Sequence, residues 1–152
     1  MEKKHVNTET KRQARYRQKI NFAAEKINDI PKKTDNPLAI DAAMYRIQTS
    51  IDAVMDIAAM LVKDKGRETS DNYSNIHTLL KTKVINKKMA DDMVMVNGLR
   101  NAIVHKYNSF EEDVVIDNIS EIKRIIKGFL DVAEIELKTI FKRNKKGTEA
   151  LE

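Results

Sequence analysis

Apolar side chains recur at intervals of three and four residues over most of this chain. Between residues 37 and 65 the series is Ile40, Met44, Ile47, Ile51, Val54, Ala58 and Leu61. This spacing keeps one stripe of an α-helix apolar, because the helix repeats every 3.6 residues. Only four glycines and two prolines are available for turns, which favours a few long helices over a sheet of many strands. The sequence therefore predicts an all-α protein whose helices pack into an antiparallel bundle.

The same reasoning predicts about five helices, over residues 8–30, 37–65, 72–84, 87–107 and 109–140. Asn36 and Pro37 are typical of a helix start, and Gly66 is typical of a helix end. These helices make one domain, which we place at residues 8–143. We expect a flexible N-terminus over residues 1–7 and a flexible basic tail over residues 144–152.

The composition limits the class of function. The net charge of +5 favours an anionic partner, and the basic residues are concentrated in segments 11–19 and 138–146. Such segments are more often solvated helix faces, although RNA binding would use the same charges. The chain has no cysteine, which excludes thiol nucleophiles and fits a reducing compartment. No signal peptide or membrane segment is expected, because the N-terminus is polar and Asp52 and Asp56 interrupt the most apolar stretch. We therefore expect a cytoplasmic protein.

The fourth predicted helix carries polar side chains among its core residues. On an ideal helix Arg100 lies in the middle of the apolar stripe, beside residues such as Ile103. Because a guanidinium cannot lose its proton, it must pair with a carboxylate, extend to solvent or line a cleft that admits an anion. Asn101 and His105 share another face with Gly98, whose missing side chain would let another backbone approach. Taken singly, a buried ion pair and a surface histidine at a helix end are the commoner explanations.

Together, Arg100, Asn101, His105 and Tyr107 form the pattern R-N-x-x-x-H-x-Y. This pattern resembles the signature of the HepT proteins, which are HEPN-superfamily toxins of prokaryotic toxin–antitoxin pairs. The resemblance extends over roughly residues 13–140, since YRQKINFAAEKINDI and AAMYRIQTSIDAVMDIAAMLV are similar to the first two helices of that family. The chain departs from the pattern at residues 69–72, where many relatives have a proline before the third helix.

The resemblance implies a HEPN-like helical bundle that forms a homodimer, with a ribonuclease site that needs neither a metal ion nor another cofactor. Arg100 and His105 match the catalytic pair that acts on the RNA substrate, and Asn101 matches a polar residue that supports the site. Tyr107 matches the tyrosine to which a cognate nucleotidyltransferase antitoxin, of the MntA type, attaches AMP to silence the toxin.

These residue types also suit RNA cleavage on chemical grounds. RNA supplies its own nucleophile, the 2′-hydroxyl, so cleavage needs only proton transfer and stabilisation of charge. A histidine with a pKa of about 6.5 can transfer that proton near neutrality, and an arginine can stabilise charge on the phosphate. A separation of five residues turns Arg100 and His105 about 140° apart on an ideal helix. A second subunit would therefore help to complete the site.

Two other functions stay open at this stage. The chain could be a non-catalytic HEPN module that presents a substrate, or itself, to a nucleotidyltransferase, although such a scaffold would not need both Arg100 and His105. Alternatively, it could be a plain helical dimer in which Arg100 forms a buried ion pair. In that case Arg100→Met would be tolerated or even stabilising.

Overall fold

The computed structural model describes the backbone of residues 2–31, 36–105 and 109–149, and side chains over 11–31, 36–105 and 112–142. The helices are α1 (Glu2–Asn28), α2 (Pro37–Asp64), α3 (Asn72–Lys81), α4 (Lys87–Val104), α5 (Ser109–Asp117) and α6 (Ile119–Glu149). Over these ranges there is no β-strand, so the predicted all-α class is confirmed. No helix within them is long and apolar enough to cross a membrane.

The three long helices α1, α2 and α6 form the centre of the bundle. Helix α1 runs antiparallel to α2, because Arg12 bonds to Asp64 whereas Lys19, two turns later, bonds to Asp56. It also runs antiparallel to α6. Arg17 bonds to Glu134, whereas the Ile30 carbonyl, just beyond the end of α1, accepts a hydrogen bond from Lys123 near the start of α6. The side chains between the three helices that have no exposed surface include Tyr16, Ile27, Ile47, Ile51, Leu61, Ile126 and Phe129. The antiparallel bundle predicted from the apolar stripes is therefore present.

Both ends of α2 are as the sequence predicts. The Asn36 side chain accepts hydrogen bonds from two N–H groups of the first turn, and Pro37 is the first helical residue. Gly66 adopts a φ of +74°, which is a left-handed conformation that glycine enters at little cost. The N–H groups of Gly66 and Arg67 then donate to carbonyls of the last helical turn, as in a Schellman motif.

The prediction of a single last helix was wrong, because the chain breaks at Asn118 into α5 and α6. The Asn118 side-chain amide donates to the Val114 carbonyl at 2.7 Å, and its backbone N–H donates to the Val115 carbonyl at 3.1 Å. Asparagine is a residue whose side chain competes for backbone hydrogen bonds in this way. The chain therefore has six helices in its described part where the sequence predicted about five.

Two other helices end earlier than predicted. Helix α3 ends at Lys81, because Lys83 adopts a φ of +62° and the following N–H groups bond back to the last turn. Helix α4 ends at Val104 with His105 as its C-cap residue, whereas the sequence predicted a helix through residue 107. Residues 2–7 and 144–149 are helical, and their flexibility stays a prediction.

Helix α4 is fixed near its start and its middle. The Asn86 side chain accepts a hydrogen bond from the Met89 N–H at 2.8 Å and so caps the helix. In the middle of the helix, the buried Asn97 accepts a hydrogen bond at 3.0 Å from the Asn72 side chain of α3. The second contact holds the middle of α4 against α3.

Candidate active site

Arg100 bonds to an acid on the neighbouring helix. Its Nε donates to Asp52 Oδ1 of α2 at 2.7 Å. The two side chains keep 29% and 41% of their surface exposed, so the pair lies at the surface. This exposure argues against the buried ion pair that was one alternative from the sequence. Arg100 satisfies two of the predicted options at once, since it meets a carboxylate and still reaches solvent.

Two of the three guanidinium nitrogens of Arg100 donate hydrogen bonds within the described chain. Nη1 donates to the neighbouring Asn101 Oδ1 at 3.3 Å, and within the described chain no group accepts a hydrogen bond from Nη2. Nε is held by Asp52, while the side chain as a whole keeps 29% of its surface exposed. Such an arrangement suits contact with phosphate oxygens, which guanidinium binds through two parallel N–H groups. The structure therefore links Arg100 to the side chain of its chain neighbour Asn101, which the sequence had placed on another face of the helix, and the roles of both residues in the site stay predictions.

His105 lies at the end of α4. It is exposed, and its backbone N–H donates to the Asn101 carbonyl at 3.0 Å. Its imidazole makes no hydrogen bond or ion pair within the described part of the chain. Within a single chain, Arg100 and His105 therefore lie on or at the end of the same helix, and the described residues show no hydrogen bond between their side chains.

One side of α4 forms an exposed face that ends at His105. Val94, Gly98, Asn101 and His105 follow one another at intervals of four, three and four residues, which places them on one side of the helix. Val94 keeps 43% of its surface exposed. No other atom of the described chain lies within 4 Å of the position that a Cβ would take at Gly98. Any backbone that approaches Gly98 must therefore come from another molecule or from outside the described ranges.

The comparison with protein families decides the class of protein. The model of the family described as "Ribonuclease HepT-like" matches residues 6–133. The chain belongs to the HepT-like ribonuclease family. This result confirms the family that the R-N-x-x-x-H-x-Y pattern and its flanking helices indicated.

Relatives of this HepT-like ribonuclease carry names of the same kind. Two proteins of Archaeoglobus fulgidus, each named "Putative RNase", match most of the chain. The first is 36% identical over 129 residues, which cover 85% of this chain and 98% of the relative. The second is 34% identical over 130 residues, which cover 85% and 93%. The family and these relatives together confirm the predicted enzyme class, a ribonuclease.

Solved structures show the same fold. A toxin–antitoxin complex of MntA with a HepT mutant has a TM-score of 0.70 at 20% identity, and the match covers 79% of this chain and 98% of that one. The tri-AMPylated Shewanella oneidensis HEPN toxin, in complex with an MNT antitoxin, has a TM-score of 0.64 at 19% identity. That match covers 84% of this chain and 96% of the other. At these identities the similarity shows the fold alone, and it confirms the predicted HEPN-like bundle.

The basic segment 11–19 of this HepT-like ribonuclease is largely structural. Arg12 bonds to Asp64 of α2, where the buried Tyr16 hydroxyl also donates its hydrogen bond. Arg17 and Lys19 likewise pair with acids on α6 and α2. These three cations form ion pairs that link α1 to its neighbours, while Arg17 keeps 48% of its side-chain surface exposed, as expected for a solvated helix face. In the second basic segment, side chains are described only for residues 138–142.

Two further expectations for this HepT-like ribonuclease concern the modification of Tyr107 and the need for a metal ion. Tyr107 lies outside the described residues, so its predicted modification stays a prediction. Among the described residues, no group of three or more His, Asp or Glu side chains is arranged to hold a metal ion. Sequence reasoning missed the role of Asp52, which it treated only as an interruption of an apolar stretch.

Proposed function

We propose that the chain is the toxin of a toxin–antitoxin pair and that it cleaves RNA through Arg100 and His105. The observation that carries the proposal is that Arg100, although bonded to Asp52, keeps 29% of its side-chain surface exposed. Its Nε is held by Asp52, and Arg100 lies on the helix whose C-cap residue is His105. Family membership supplies the reaction class, and these two residues supply the groups that the reaction requires.

The reaction follows from the chemistry of RNA. The 2′-oxygen attacks the adjacent phosphorus while His105 takes the 2′-hydroxyl proton, and the bond from phosphorus to the 5′-oxygen breaks. The departing 5′-oxygen takes up a proton, which leaves a 2′,3′-cyclic phosphate and a 5′-hydroxyl. Arg100 stabilises the charge that develops on the phosphate oxygens. These steps use only proton transfer and electrostatic stabilisation, so the mechanism needs no metal ion.

We further propose that two copies of the chain complete the site as a homodimer. The exposed face of α4 combines Val94, a flat position at Gly98 and the polar residues Asn101 and His105. A second copy that covers Val94 and approaches Gly98 would bring its own groups next to His105, whose imidazole lacks a partner in the described chain. Dimer-shared catalysis predicts that the rate per chain falls when dilution separates the subunits, and a full rate from a monomer would contradict it.

The proposed partner is a nucleotidyltransferase antitoxin. Structural neighbours include a tri-AMPylated HEPN toxin in complex with an MNT antitoxin, and by analogy the acceptor here is Tyr107. An AMP group two residues from His105 would place an anion beside the site and block the entry of RNA, because like charges repel.

Expression in a bacterial host tests the proposal. The wild-type chain should arrest growth, Arg100→Ala and His105→Ala should each abolish arrest, and co-expression of a cognate nucleotidyltransferase should protect the cells. His77→Ala is the matched control, because His77 is an exposed histidine on α3 and its loss should leave arrest unchanged. Persistent toxicity in either site variant, with folding verified by circular dichroism, would refute the assignment.

The modification is tested separately. Co-expression should add one or more AMP groups to the peptide that contains Tyr107, which mass spectrometry detects. The Tyr107→Phe variant should stay toxic in the presence of the antitoxin. Protection of the Tyr107→Phe variant would show that the antitoxin acts elsewhere.

A further inference from the structure

An open groove of about 450 Å³ lies between α1 and α2. It adjoins the candidate active site through Asp52, which lines the groove and bonds to Arg100 Nε at 2.7 Å. An RNA strand whose phosphate contacts Arg100 would therefore have this groove one residue away. The volume is in the range of pockets that hold small organic ligands.

The charges in the groove leave one cation available. Its two acids are each paired, Asp52 with Arg100 and Asp56 with Lys19 at 2.9 Å. Arg15 is exposed and lines the same groove, and within the described ranges it has no hydrogen-bond or ion-pair partner. The groove thus presents an unpaired guanidinium a short distance along α1 from its paired charges.

One aromatic ring stands among these polar groups. Phe22 lines the groove with 41% of its surface exposed, although a phenylalanine on α1 would gain free energy by burial. The ammonium of Lys26 lies 5.4 Å from the centre of the ring, a cation–π contact that occupies one face. The ring keeps enough exposed surface for contact with a flat ligand.

We propose that this groove binds a single-stranded stretch of RNA beside the scissile phosphate. This inference rests on the proposed ribonuclease function and extends its site by two residues: Phe22 stacks on a base and Arg15 contacts a backbone phosphate. An aromatic platform next to a cation is the usual arrangement in single-strand binding, because every base has a π-face and every linkage carries a charge.

A protein partner fits the groove less well. The centres of protein interfaces are poor in charged residues, whereas in this lining Phe22 is the sole large apolar side chain and most of the others are charged or polar. We therefore commit to RNA as the occupant and treat a second copy of the chain as an alternative outcome.

Direct binding tests the groove without relying on cleavage. A fluorescein-labelled single-stranded RNA of ten nucleotides is titrated into the full chain carrying His105→Ala. Adding Phe22→Ala or Phe22→Leu should raise Kd by roughly 5- to 150-fold, since a base–aromatic stack contributes about 1–3 kcal/mol. Phe22→Tyr keeps the ring and should restore binding. Arg15→Ala should also lower the slope of log Kd against log salt concentration by about 0.7.

Two exposed residues away from the groove are matched controls. Ile135 on α6 keeps 65% of its surface exposed, and Arg67 is exposed just beyond α2. Ile135→Ala and Arg67→Ala should leave Kd within about twofold, because neither residue lines the groove. Unchanged binding in both Phe22→Ala and Arg15→Ala would overturn the inference.

Analytical ultracentrifugation distinguishes RNA binding in the groove from the alternative that a second copy of the chain occupies it. If Phe22→Ala dissociates a dimer and weakens RNA binding only to the level of the separated subunits, the groove is a subunit interface and the inference fails. The proposed function can fail independently. A wild-type chain that cleaves no RNA, but whose RNA binding still depends on Phe22 and Arg15, would refute the cleavage and support the groove.

Discussion

Replacing Arg100 with methionine separates a catalytic arginine from a structural one. Arg100 makes one ion-pair contact, from Nε to Asp52 Oδ1, and both side chains are partly exposed. Exposed pairs contribute about 0.2–1 kcal/mol to stability. For a chain of this length 1 kcal/mol corresponds to a shift in Tm of about 2–4 °C. The Arg100→Met variant should therefore melt within about 4 °C of the wild type.

The effect on catalysis should be much larger. Removing a group that stabilises developing negative charge costs about 2.7–4 kcal/mol in the barrier, which is a 100- to 1,000-fold loss in kcat. Cleavage of a fluorogenic RNA gives the rate, and thermal unfolding followed by circular dichroism gives Tm. The rate should fall by two orders of magnitude or more while Tm hardly changes.

Arg12→Met is the matched control. Arg12 also pairs with an acid of α2, but its Nε and Nη2 both contact Asp64, whose side chain is only 17% exposed. Removing Arg12 leaves this carboxylate and the Tyr16 hydroxyl without their cation, which costs about 1–3 kcal/mol. Arg12→Met should lower Tm while folded protein keeps its kcat. The reasoning is refuted if Arg100→Met behaves like Arg12→Met, with lost activity that only tracks the unfolded fraction.

Three further changes test the fold. Tyr16→Phe should lower the free energy of unfolding at pH 7 by about 1.5–3 kcal/mol, because the hydrogen bond to the charged Asp64 is lost. Burial and that hydrogen bond raise the pKa of Tyr16, so the wild type loses about 1.4 kcal/mol per pH unit above the unfolded pKa of about 10. The stability gap to Tyr16→Phe should therefore narrow in urea titrations at pH 10–11, and a constant gap would contradict the assignment. Lys83→Gly should raise the free energy of unfolding by about 1 kcal/mol, because glycine tolerates the φ of +62°, whereas the helical control Lys81→Gly should lower it by about 1 kcal/mol. Gly128→Ala should raise it by about 0.5–1 kcal/mol, since the new Cβ meets only the flexible end of Met89 at 3.3 Å; a lower Tm would show that Met89 has no room to move.

The parts of the fold that the sequence predicts are those set by neighbouring residues. Asn36, Pro37 and Gly66 act within one turn of the chain, so both ends of α2 could be placed from their identities. The break at Asn118 could not, because the apolar stripe continues across it through Val115 and Ile119. Periodicity reports which face is buried, and it does not report a local asparagine that takes the carbonyl bonds of the preceding turn.

In the candidate site, too, the sequence predicts what nearby residues determine and misses what depends on helix packing. The permanent charge of Arg100 left three options, a carboxylate partner, solvent or an anion-binding cleft, and the pattern with His105 pointed to the family. The identity of the carboxylate depends on how α2 and α4 pack, and Asp52 is 48 residues away from Arg100 in the sequence. No spacing rule connects two such positions. The structural use of Arg12 and Lys19 was hidden for the same reason, since their partners lie on another helix.

The exposed face of α4 has a consequence for how the protein would act in a cell. If a second copy covers Val94 and Gly98 and completes the site beside His105, the abundance of working enzyme depends on pairing. While single chains predominate, doubling their amount raises the number of pairs about fourfold. RNA breakdown would then remain slight at low expression and rise steeply once synthesis outpaces removal. The geometry of one helix face would in this way set a dose threshold for growth arrest.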